Sequence, residues 1–357
     1  MEYGLDNFSS CFCYSITSII QYFILFNASI KYFSKMSTQD ATQSQINITV
    51  GRGLLERAML STVSTVPCFL FLFINGTMLF TLRSKSVFCE TSRYVLLYNL
   101  LFADTVLMAL SQLMYVLAAF RIRLTYPICG VFVMLINLTN VISPLTLVLM
   151  SLERYVAVCY PLRHATIITI RNTRMAICVV WTFSLLNVLI QVLLLLNFAF
   201  EDLQSPQMTD YCSGIAMILG PISDLYDKAY TCFVFILASV AITSSYIGVM
   251  VAARSASTDK ASAQKVCKTL LLHLVQLGLS LSSTIHNPML TAISKVLHRV
   301  LLVRIQIVVY LCIIIFPRCL SALIYGIRDQ TIRPLFICHL CCQLKLSVIS
   351  TKAGVSP

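Results

Sequence analysis

Seven stretches of this 357-residue chain are each long and apolar enough to cross a lipid bilayer, which leaves almost no soluble fold open to it. They run roughly over 57 to 82, 93 to 118, 126 to 159, 174 to 197, 229 to 253, 263 to 286 and 304 to 326. Within hydrocarbon every backbone N–H and C=O must be satisfied inside the segment, so runs of this length predict helices. The expected fold is all-α, a seven-transmembrane helix bundle. The third span is long enough to project beyond the bilayer. After Gly326 the run ending at Cys342 is too short and too polar to span. Its Ile332, Leu335 and Phe336, with Cys338, Cys341 and Cys342, predict a short interfacial eighth helix with cysteines at the depth of palmitoylation; a tail with chance cysteines is the alternative.

Composition closes off other classes. With 58% hydrophobic and 11% charged residues, the chain lies outside the balance of soluble domains. Its net charge of +12 is spread over short connections without a long basic run, so a nucleic-acid partner is not expected. The 15 cysteines lack the two CxxC pairs of a zinc site, and most sit within apolar segments as small hydrophobes. No metal or other cofactor is predicted.

Loop charges set the orientation. Arg83 and Lys85, then Arg163, Arg171 and Arg174, then Arg254, Lys260, Lys265 and Lys268, then Arg328 and Arg333 follow spans one, three, five and seven. Glu201, Asp202, Asp210, Asp224 and Asp227 collect after span four. The amino terminus is therefore expected outside and the carboxyl terminus inside. Lys295, His298, Arg299 and Arg304, before span seven, disagree and form a basic patch on the outer side.

The expected division is an extracellular segment over 1–56, a seven-transmembrane bundle over 57–326, and an interfacial helix and tail over 327–357. Residues 1–35 look like an over-extended start, because Met36 opens an ordinary polar ectodomain and the apolar run from Cys11 to Phe26 lacks a basic start; an eighth hydrophobic segment is the alternative. Asn47-Ile-Thr is a glycosylation sequon on the expected outer side.

Individual polar residues decide among the functions open to seven spans. In MSLERYVAVCYPLRH, Met150 to His164, the charged pair Glu153 and Arg154 stands at the end of span three and needs a partner or a task. Arg154 lies 25 positions after Cys129, roughly 37 Å of helix, so the cysteine reaches the outer surface when the arginine reaches the inner one. Cys212 lies in the acidic outer loop. A disulfide between the two cysteines suits that oxidising side, and two free thiols remain the alternative.

These residues, with Asn75 in span one, Asp104 in span two and Trp181 in span four, resemble the rhodopsin-like family of G-protein-coupled receptors over residues about 55 to 340. Within it, MSLERYVAVCYPLRH is similar to the MAYDRYVAICxPLxY string of olfactory receptors, and SSYIGVMVAARSAS and LLLHLVQL resemble their fifth and sixth helices. PRCLSALIYGIRDQTIRP, Pro317 to Pro334, resembles fish odorant receptor-like proteins.

The resemblance implies a Cys129–Cys212 disulfide. It also implies a switch in which Glu153, Arg154 and Tyr155 hold the resting state, and Tyr246 and Tyr325 close around the arginine on activation. Interfacial anchoring is the plain alternative for the tyrosines. One departure matters: where the family carries Asn-Pro-x-x-Tyr, this chain reads Ser321-Ala322-Leu323-Ile324-Tyr325, with an intramembrane arginine, Arg318, one turn outward. Pairing of Arg318 with Asp104 is expected to replace the sodium ion and asparagine usual in the family; snorkelling to the inner water layer is the alternative.

Asn137, Asn140 and Val141 share one expected face of span three, with Tyr230, Thr231, Ser280, Ser282 and Ser283 as further candidate pocket walls. Ile136 occupies the level where amine receptors place an aspartate, which disfavours a biogenic amine, and span seven has no lysine for a retinal Schiff base. The expected ligand is a small odorant, and the expected partners are membrane lipid and a stimulatory, olfactory-type heterotrimeric G protein. A receptor for an acidic lipid or peptide is the alternative. No internal repeat suggests a transporter, and no pore-lining polar stripe suggests a channel. No hydrolase, zincin or P-loop motif suggests an enzyme.

Overall fold

A computed structural model describes residues 46–202 apart from position 121, scattered positions in the loop that follows, 221–256, isolated positions between 278 and 289, and 309–341. Most of predicted span six, with Ser280 and Ser283, and also Cys342 and the basic patch from Lys295 to Arg304, lie outside the described residues, whereas Ser282 is described and its hydroxyl donates to the Leu279 carbonyl at 2.6 Å. The chain divides into two compact units, Met1–Phe69 and Leu70–Pro357.

Span one is the helix Ile46–Arg83, which begins 11 residues ahead of the expected start at 57 and takes in Asn47. Spans two to five are Ser92–Ala119, Tyr126–Cys159, Ile170–Asp202 and Pro221–Ala256. Spans four and five run longer than expected because their polar ends continue the helix past the apolar stretch. Five helices among the described residues are long and apolar enough to cross a membrane. Large apolar side chains such as Val179, Leu186, Phe233 and Val240 stay exposed along spans four and five, as a lipid-facing surface requires.

The described end of span seven opens with a π-helical turn, Tyr310–Ile315, and continues as the α-helix Phe316–Arg328. Pro317 explains the change of register. It has no N–H for the carbonyl four residues back, and the preceding Phe316 N–H bonds five residues back to Leu311.

Residues 333–341 form the expected interfacial helix. Asp329 starts it by accepting from the backbone N–H groups of Thr331, at 3.0 Å, and Ile332, at 3.4 Å. Ile332 and Phe336 are buried, and the Phe336 ring lies so close to Gly326 that a Cβ there would stand 2.8 Å from it. His339 Nδ1 lies 3.0 Å from the Thr81 hydroxyl, and its ring meets Phe80 edge-on, fixing the helix to the inner end of span one. Cys338 and Cys341 are exposed.

Candidate functional site: a polar relay along span three

Cys129 and Cys212 form a disulfide with Cα atoms 5.6 Å apart. Around it Met114, Val133, Met208 and Met217 make a buried cluster, so the outer loop is packed onto spans two and three as well as bonded to them. The Met208 N–H also bonds the Leu124 carbonyl at 3.3 Å. Gly220, with φ of 83°, turns the chain into span five, a conformation that glycine adopts without a Cβ clash.

Beneath this lid lies a small cleft between spans three, four and five, lined by Val133, Met134, Asn137, Gln191, Met217 and Asp227 among others. The Asn137 amide donates to Gln191 Oε1 at 2.9 Å. The shared face expected for Asn137, Asn140 and Val141 is divided in the structure. Asn137 turns to span four, Asn140 accepts from Arg318 of span seven at 3.3 Å, and Val141 is buried. Positions i and i+3 are about 60° apart around a helix, enough to point two short amides at different neighbours. Tyr230 also departs from the expected pocket wall, because it stacks on Phe183 of span four and on Tyr226. Thr231 is half-buried, and neither it nor Tyr230 lines the cleft.

Midway along the bundle, Arg318 Nε stands 3.4 Å from Asp104 Oδ1, with both side chains almost wholly buried. Ser143 donates to the same carboxylate oxygen at 2.6 Å. Arg318 further donates to the Ile314 carbonyl at 2.8 Å, within the disturbed turn ahead of Pro317. A charge in so dry a place is tolerable only when its donors are engaged, and the guanidinium reaches a carboxylate, an amide and a carbonyl. Snorkelling to the inner water layer does not describe this arginine, which is 2% exposed. Ser321 is buried in the next turn, where its hydroxyl donates to Pro317 O at 3.5 Å. Asn75 is fully buried, and its amide finds no hydrogen-bond partner among the described residues.

A second polar junction was not foreseen in the sequence. Asn99 donates to Thr146 and accepts from the Trp181 indole, both at 2.9 Å, joining spans two, three and four. A buried asparagine seven residues after the start of span two, facing a tryptophan in span four, was the available signal.

At the far end of span three from the disulfide, Arg154 Nε lies 3.5 Å from Glu153 Oε2. His164 approaches the other Glu153 oxygen at 3.8 Å, an additional partner not anticipated. Tyr325 is buried against the Arg154 guanidinium, and the Arg93 guanidinium lies over the Tyr325 ring at 5.8 Å. Arg93 in turn pairs with Asp329 at 3.3 Å, and Tyr94 donates to both oxygens of that carboxylate. Tyr155 instead faces span five, where its ring fills the space above Gly248. Tyr246 is half-buried and makes no hydrogen bond or ring contact among the described residues.

A helical bundle with a disulfide-pinned outer loop, a buried polar centre and an acid-arginine pair at its inner end describes a membrane receptor. The family model for the 7 transmembrane receptor (rhodopsin family) matches residues 74–344, and the chain belongs to that family of G-protein-coupled receptors. It is thus a multi-pass membrane protein of a receptor family, not of an enzyme family. Odorant receptor 131-2 of Danio rerio is 32% identical over 294 residues, covering 80% of this chain and 88% of that protein. Human olfactory receptor 52K1 is 26% identical over 289 residues, covering 76% and 87%. Human olfactory receptor 1M1 is 24% identical over 203 residues, covering 56% and 64%.

Proposed function

We propose that this receptor is chemosensory: it binds a small organic odorant in the outer half of the bundle and promotes nucleotide exchange on a heterotrimeric G protein. The observation that carries the reading is the inner-end arrangement, in which Arg154 is held by Glu153 and covered by Tyr325. Arg154 is about a third exposed at rest, and movement of span seven away from span three would free it from Tyr325 for a partner. The polar relay supplies a route, because Arg318 lies one helical turn from Ser321 and two from Tyr325 on the same span, while Asn140, Ser143 and Arg154 share span three.

A ligand shifts such an equilibrium by no more than its differential affinity for the two states. The cleft beside Asn137, beneath the disulfide-bonded loop, is the place where a ligand would bear on spans three, four and five together. The loop charges support an amino terminus outside and a carboxyl terminus inside. The G protein proposed is a stimulatory one that raises cyclic AMP, as the resemblance to olfactory receptors implies. Asn47 is proposed as a glycosylation site, and the exposed Cys338 and Cys341, with Cys342 beyond the described residues, as palmitoylation sites.

Expression in cultured cells with a cyclic-AMP readout against amino-acid, bile-salt and small-organic panels tests the reading. A response from the wild type that is lost in Arg154→Ala at equal surface level is the expected result. A response that persists in Arg154→Ala would sink the coupling mechanism.

A further inference from the structure

Among the described residues, Asp227 is a cleft-facing charge that stands outside the ion pairs. Asp224 and Lys228, one turn apart at the start of span five, form an ion pair with each other. Asp227, between them in sequence, faces the cleft without a hydrogen bond or ion pair among the described residues, attracted by Lys228 and repelled by Asp224. Ser223 lines the same cleft one turn earlier. Across from them stand Asn137 and Gln191, whose single mutual bond leaves one carbonyl oxygen and one NH2 group unspent, whichever way the two amides are turned. Met134 and Met217 supply an apolar wall.

We propose that this cleft takes a small organic amine, its ammonium group bound by the Asp227 carboxylate. An ammonium has three donors and no acceptor. The cleft offers a carboxylate, a serine hydroxyl and an amide carbonyl, with one net negative charge among these groups. A neutral odorant would leave the Asp227 carboxylate with only Lys228, already paired with Asp224, as a positive charge nearby, and an anionic one would be repelled by it. The cleft is small and open at its mouth, so it takes the ammonium group and the first carbons, and the hydrocarbon body extends past the methionines out of the mouth. Span three has Ile136, not an acid, at its outer level, and the charge that selects an amine comes from span five. This inference rests on the chemosensory reading and narrows it to one ligand class.

The test uses the full-length receptor in cells, with cyclic AMP and surface level read in parallel. Isoamylamine, cyclohexylamine and 2-phenylethylamine are compared with isoamyl alcohol, cyclohexanol, 2-phenylethanol and isovaleric acid. Amines are expected to act at about tenfold or more lower concentration than the matched alcohols, and Asp227→Asn to remove that advantage. Asp227→Glu should retain a preference for amines, and Asp224→Asn, outside the cleft, should leave it in place. Thermal stabilisation of the purified receptor by cyclohexylamine, lost in Asp227→Asn, gives a readout independent of coupling. Equal or better action by the alcohols or the acid, or an amine preference that survives Asp227→Asn, overturns the proposal and leaves the chemosensory reading standing. Silence of a surface-expressed wild type toward the amines overturns it too, and silence toward the wider organic panel as well would take the chemosensory reading with it.

Discussion

Arg318 of span seven and Asp104 of span two, 214 positions apart in sequence, meet at 3.4 Å in the centre of the bundle, where neither side chain is more than 3% exposed. Removing one member of such a pair strands the other charge, which costs about 3 to 5 kcal/mol, whereas removing both strands neither. Asp104→Asn and Arg318→Met should therefore each lower the melting temperature of the purified receptor more than the double variant does. Simple additivity across that cycle would show that the two groups do not depend on each other.

The same pair predicts an unusual response to sodium. With the guanidinium at Asp104, a cation there is redundant, so the stability of the wild type should not change between sodium and choline buffers. Arg318→Ser, by vacating the counter-charge beside Asp104 and Ser143, should introduce a sodium dependence. A sodium-stabilised wild type would contradict the proposed substitution of arginine for the ion.

Gly248 is set by what lies against it. A Cβ there would clash with the Tyr155 ring, and Cys159 Sγ donates to the Gly248 carbonyl at 3.6 Å, so spans three and five are in close contact here. Gly248→Ala should displace the Tyr155 ring at a cost of about 1 to 3 kcal/mol. A lower melting temperature, partly restored by adding Tyr155→Ala, is the expected pattern; an unchanged melting temperature in Gly248→Ala would show that the ring yields freely.

Asp329 both starts the interfacial helix and anchors it to Arg93 and Tyr94. Loss of a helix-starting side chain costs about 1 kcal/mol, and here the ion pair goes with it. Asp329→Ala should raise amide hydrogen exchange across residues 333–341 and weaken coupling, because Arg93 then loses the anchor that holds it over the Tyr325 ring. Arg93→Gln should reproduce the coupling loss with less effect on exchange, since the Thr331 and Ile332 bonds survive. Equal exchange changes in the two variants would refute this division.

The outer disulfide gives a prediction about folding. Cys129→Ser and Cys212→Ser should each cost about 2 to 5 kcal/mol and sharply reduce surface expression. Because the surrounding methionine cluster also holds the loop, the double variant should be no worse than either single one. A double variant clearly less stable than both would show a role for each cysteine apart from the bond.

Hydropathy was sufficient to place spans two and three within one residue at either end, because a segment in lipid must satisfy its own backbone and the apolar run has to match the helix. It was weaker for spans four and five, where helix continues into polar sequence that the bilayer does not constrain. The acid-arginine pair was legible because Glu153 and Arg154 are chain neighbours, and the match of Arg318 to Asp104 because a buried charge in one span demands an opposite charge in another. The rotation of each helix about its own axis was not written in any local pattern. That rotation turned Asn140 toward Arg318 and Tyr230 toward Phe183, gave Tyr325 an additional cation in Arg93, and left Asp227 facing the cleft. Such orientations follow from side-chain packing between helices far apart in sequence. The sequence by itself determined that this chain crosses the membrane as a helical receptor with a charged switch and a paired polar core; the tertiary structure decided which polar groups spend themselves on one another and which remain for a ligand.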